Sequence, residues 1–117
     1  MFSITKVYSD KNGDSHFEIV RIPLKEQGDI GWLSEKYEAT GVIFRVVEPT
    51  YDYDFHTAPQ RQLIVLLDGE IEIETSLGER RSFQSGDILL MEDTTGKGHK
   101  TKNIVQATRR SVFILLP

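Results

Sequence analysis

In the stretch FHTAPQRQLIVLLDGEIEIE, from Phe55 to Glu74, His56 and Gln62 stand just ahead of a run of aliphatic residues. Such polar side chains at a strand entry either lie at a sheet edge or point into a pocket and hold an ion or small molecule there. Asp54 sits two residues before His56, so on an extended chain the two share a face. A second polar set follows. Gly86 opens an apolar strand, Glu92 ends it, the loop DTTGKG (Asp93 to Gly98) leads to His99, and Asn103 stands four residues on. Glu92, close to His99 in sequence, is a candidate base or outer carboxylate.

Other residues are candidates on their own chemistry. Arg45 lies inside the apolar stretch GVIFRVVE, and a buried guanidinium must be paired; a bound carboxylate is one partner, and an edge-facing position is the other reading. Trp32, Tyr51, Tyr53 and Phe55 are candidates to wall a pocket mouth, having apolar bodies and, for tyrosine, a polar tip; sheet packing is the alternative. Asp10, Asn12 and Asp14 imitate the start of a calcium loop, but Gly13 is displaced and Arg21 stands where a glutamate is needed, so a polar hairpin turn is expected. TTGKGHKT lacks phosphate-loop spacing, and its glycines suit a close pass by another backbone or a ligand.

The elements that must position these residues are strands. Asn12-Gly13 and Asp68-Gly69 are hairpin-turn pairs. Gly41 to Glu48 is rich in β-branched residues, and QLIVLL (Gln62 to Leu67) is apolar on both faces, as a covered central strand is. If Gln62 points inward, Ile64 and Leu66 share its face and line a cavity, while Leu63, Val65 and Leu67 face outward. EIEIETS alternates, with Ile71 and Ile73 on one face and glutamates on the other. Further strands are expected at Ile88 to Met91, Ile104 to Ala107 and Ser111 to Leu116, with a helical turn at Trp32 to Lys36. About nine or ten short strands imply an all-β sandwich or barrel.

At 117 residues the chain is one domain. It has no cysteine, which excludes disulfides, thiolate metal sites and cysteine nucleophiles. A net charge of −4 disfavours nucleic-acid binding, and Arg109-Arg110 and Lys97/Lys100/Lys102 are expected to be solvated loop charges. MFSITKVYSD has no signal-peptide character and no apolar run is membrane-spanning, so a cytoplasmic protein without membrane association is expected.

The two polar segments together resemble the motifs of the cupin superfamily, in particular short bacterial single-domain cupins. His56 and Gly69 match the first motif, with Asp54 in place of its first histidine and Gln62 in place of its glutamate. Gly86, His99 and Asn103 match the second, with Glu92 in place of the proline and a longer turn before His99. The resemblance spans Asp54 to Asn103. It implies a double-stranded β-helix, or jelly-roll barrel, over residues 1–117, with residues 1–40 supplying N-terminal strands that pair across a homodimer. It further implies a divalent metal (Fe, Mn, Ni or Zn) held by His56, Gln62 and His99 with Asp54, a mixed N/O set suited to such ions. A small carboxylate- or carbonyl-bearing ligand would meet Arg45, Tyr53, Ile64 and Leu66, and Glu92 would be the catalytic carboxylate. The activity would be that of a metal-dependent dioxygenase, isomerase or lyase. The rival reading is a non-catalytic small-molecule binding or sensing module without metal.

Overall fold

The structure is a computed structural model and describes residues 2–117. Among these, twelve strands form three sheets. A six-stranded sheet has the order β2 (Ser15–Ile22), β1 (Phe2–Ser9), β10 (Ile88–Met91), β7 (Gln62–Leu66), β12 (Arg109–Leu115), β5 (Gly41–Val47). A four-stranded sheet has the order β6 (Asp52–His56), β11 (His99–Asn103), β8 (Glu70–Thr75), β9 (Arg80–Gln84). The short pair β3 (Lys25–Glu26) and β4 (Trp32–Leu33) makes the third. Every pairing is antiparallel except β1 with β10. Two facing sheets of this kind make a jelly roll, the all-β architecture expected.

The period of two along each strand decides what lies between the sheets. Val7, Leu66, Leu89 and Met91 from the larger sheet pack against Ile71, Ile73 and Phe83 from the smaller one, all buried. β7 lies at the centre of its sheet between β10 and β12, as its apolar character on both faces requires. Its outward residue Leu63 joins Ile4, Leu90, Leu116 and Ile88 in a second cluster on the outer face. Leu24, Trp32 and Tyr37, from the segment that contains β3 and β4, border a groove of about 570 Å³ over that face.

Two expectations fail. Trp32 to Lys36 forms no helical turn: Trp32 and Leu33 pair with Glu26 and Lys25, and a 3-10 turn lies earlier, at Gly28–Ile30. Local turn chemistry at Gly28 and Gly31, both with positive φ, decides this in place of helical periodicity. Ile104 to Ala107 is a loop, because β8 begins at Glu70, whose carbonyl accepts the last ladder bond from Ile104 N–H.

Candidate functional site

A cavity of about 320 Å³ opens between the sheets, with His56, Gln62, His99, Arg45 and Tyr53 on its wall above Ile64 and Leu66. His56 and His99 are cross-strand partners in the β6–β11 ladder, and their ring centroids lie 4.5 Å apart. Gln62 is 4% exposed and turns to the same cavity from β7.

The histidines' second nitrogens define their chemistry. Nδ1–H of His56 donates to the backbone carbonyl of Asp54 at 2.8 Å, because a carbonyl can only accept. Nδ1–H of His99 donates to the Asp93 carboxylate at 2.5 Å, and that carboxylate is 0% exposed. Both rings are thereby held in the tautomer that leaves Nε2 with a lone pair. The Tyr53 ring stacks on His56 at 3.9 Å, fixing its plane. Burial lowers the pKa of His56, partly offset by the Asp54 carbonyl, so the ring stays neutral at pH 7.

Asp54 does not join this set. It is exposed, and its Oδ1 accepts the Phe55 N–H. The cause is a β-bulge: between the pairs His99↔His56 and Thr101↔Tyr53, β11 advances two residues and β6 three. The extra residue reverses the alternation, so Tyr53 and His56 face the cavity and Asp54 does not. Its carbonyl contributes where its carboxylate was expected.

Glu92 also lies elsewhere. It shares the outward parity of Leu90 and pairs with Arg61 at 2.5 Å and with Lys6. The carboxylate beside His99 is its neighbour Asp93, which continues the inward series Leu89, Met91, Asp93. That alternation was the signal that could have found it. Among the described residues no three His, Cys, Asp or Glu side chains cluster as a metal set; beside the histidine pair the cavity wall carries the Gln62 amide.

Arg45 does face the cavity. Its Nε donates to Ser111 Oγ at 3.0 Å, and its guanidinium lies over Phe113 and Tyr51. Tyr51 lines the cavity as well, while Phe55 and Trp32 are exposed and do not. Asn103 lies off the cavity wall; its Nδ2 donates to the carbonyls of Glu48 and Pro49 and its Oδ1 accepts from Arg109 Nε. Arg109 is not a solvated loop charge but 1% exposed, on the inward series Arg109, Ser111, Phe113 of β12.

The glycine loop before His99 is tied to its surroundings. Ser9 Oγ donates to the Thr95 carbonyl, Lys97 N–H to the Gly13 carbonyl and Ser15 Oγ to the Gly98 carbonyl. Gly98, at φ +75°, passes so close to the backbone of His56 and Thr57 that a Cβ there would collide with it.

No family model matches this sequence, and no curated protein does. Several solved structures match the fold. A DUF861-family protein from Thermotoga maritima aligns with a TM-score of 0.52 at 14% identity, covering 82% of this chain and 100% of that one. A Salmonella typhimurium protein provisionally named ethanolamine utilization protein Q aligns with a TM-score of 0.52 at 12% identity, covering 100% and 97%. The CENP-C cupin domain of Drosophila melanogaster aligns with a TM-score of 0.50 at 16% identity, covering 80% and 69%.

Proposed function

Because the chain has the cupin fold, we propose that its barrel binds a divalent metal and a small polar molecule bearing a carboxylate or carbonyl. One observation carries this reading: His56 and His99 both commit Nδ1–H to acceptors, which leaves their Nε2 lone pairs uncommitted, and both line one cavity with Gln62. The donor set fits Mn, Fe, Ni or Zn, since two imidazoles and an amide oxygen are ligands such ions accept. A bound ion would polarise a ligand oxygen as a Lewis acid. The chain's own residues do the rest. Asp93 retains the His99 Nδ1 proton and lends negative charge that the neutral donors lack. The aliphatic walls exclude water, and Arg45 supplies a donor fork for ligand oxygens.

The test is metal content by mass spectrometry after purification without a nickel column. Near-stoichiometric metal in wild type is expected, with a marked loss in His56→Ala, His99→Ala and Gln62→Ala. Equal metal in all four would sink the site. The second reading, a metal-free binding or sensing module, is favoured by the missing third charged or imidazole ligand and by the Arg45 cation in the same cavity. Wild type that stays metal-free after reloading would decide for it.

We also propose that two copies pair, and in place of the N-terminal strands of residues 1–40 expected from the sequence we place the seam at β5. This strand ends its sheet with one side unpaired, and Val42, Phe44 and Val46 are exposed along it. Exposed apolar edge strands are a liability that pairing removes.

A further inference from the structure

Two guanidiniums stand at one end of the barrel with no carboxylate in ion-pair contact among the described residues. Arg45 is on the cavity wall, and Arg109 is 1% exposed in the layer behind it, off that wall. Both lie over the Tyr51 ring, at 5.6 and 5.3 Å from its centroid. Among the described residues neither forms an ion pair. Arg109 satisfies only Nε, through Asn103; its Nη1 and Nη2 are buried without a protein partner. Asp68, an acid near Arg109 along the chain's turn, is taken by Arg110 at 2.7 Å. The position is built, not accidental: the Arg109 stem crosses Gly69, where a Cβ would press on it at 3.0 Å.

A buried cation without an opposing charge is costly, and two of them repel. Burial lowers the pKa of both and the Arg45 charge lowers that of Arg109 further, against smaller opposing effects of Tyr51 on both and of Asp68 on Arg109. Such an arrangement is strongly biased toward an anion. The cavity's small size and its apolar lining by Ile64, Ile73 and Phe113 suit a molecule with a short apolar body. A guanidinium fork matches a planar carboxylate, and among the described residues Arg45 is the one lysine or arginine on the cavity wall, which balances a singly charged acid and not a doubly charged phosphate.

We propose that the Arg45–Tyr51 end of the barrel seats the carboxylate of a small organic acid, gripped by Arg45 under the field of Arg109. The body of the acid lies along the apolar wall and its far end reaches the Nε2 atoms of His56 and His99. This rests on the reading of the barrel as a small-molecule site and does not depend on the metal.

The experiment uses protein treated with a chelator and the probes acetate, benzoate and phenylacetate, each beside its neutral amide and beside inorganic phosphate. Thermal unfolding and titration calorimetry are the readouts. At least one carboxylate should raise Tm saturably while its amide and phosphate do not. Arg45→Gln should weaken that binding about tenfold or more, the scale of a lost charged hydrogen bond. Arg109→Lys should keep binding and Arg109→Met weaken it. Without ligand, Arg45→Gln should melt at or above the wild-type temperature, since it relieves repulsion; a merely structural Arg45 would give a clear drop. Amides acting as well as acids, no response to any acid, or full binding in Arg45→Gln would each overturn the proposal. Because metal has been removed, these outcomes are separate from the failure of the metal site.

Discussion

Glu92 and Asp93 are neighbours in sequence and end on opposite sides of the sheet, one in a surface ion pair with Arg61, the other buried against His99. Their replacement should therefore have opposite consequences. Asp93→Asn keeps the shape but removes the charge that fixes the His99 tautomer, and metal affinity should fall about 10- to 100-fold. Glu92→Gln loses a partly exposed pair worth under about 1 kcal/mol and should leave metal content unchanged. Metal titration of the two variants checks both. His56 predicts the pH response. Its folded pKa lies below the ordinary 6.5 because of burial, so the unfolded chain binds the proton more readily. Its contribution is complete above the unfolded value and is lost as pH falls below about 6.5 toward the folded one. Urea unfolding of metal-free protein between pH 7.5 and 5.5 should show this loss, and His56→Gln should flatten it.

The elements position the site by two backbone devices. The bulge in β6 turns Tyr53 and His56 inward together and offers the Asp54 carbonyl to His56. The return from β10 to β11 must bring His99 against His56, and Gly98 makes the close pass possible, at φ +75° with no room for a side chain. Gly98→Ala should cost about 3 kcal/mol or more, combining positive-φ strain with a backbone collision. Chemical denaturation measures this. A cost under about 1 kcal/mol would mean that the loop relaxes freely. Asn103 acts in the same structural sense, tying the Glu48–Pro49 turn to Arg109.

At the scale of the whole molecule, the apolar surface outside the barrel is the outstanding feature. Phe44 is 82% exposed on the outermost strand of the larger sheet. Pairing of two copies there predicts a dimer mass by light scattering at micromolar concentration, and Phe44→Asp should shift it to the monomer with little change in the monomer's own stability. A wild-type monomer mass would refute the pairing. No helix among the described residues is long and apolar enough to cross a membrane.

Much of this was legible in the residues themselves. Turn pairs at Asn12-Gly13 and Asp68-Gly69, alternation in EIEIETS and the doubly apolar QLIVLL sufficed for an all-β sandwich or barrel, because side-chain period and turn chemistry are local properties; the jelly roll itself was implied by the resemblance of the two polar segments to cupin motifs. Gln62, Ile64 and Leu66 on one face followed from the same period, while a cavity histidine from each motif followed from the resemblance to cupin motifs. The rest was decided only in three dimensions. A bulge exists through its partner strand's register, so Asp54 could not be placed from its own sequence. Arg109 read as a surface charge because burial of an arginine depends on what closes over it: here Asn103, Tyr51 and a glycine that leaves room for its stem. Charge compensation is likewise a tertiary property. Only the folded barrel brings Arg45 and Arg109 to the same ring with no acid between them.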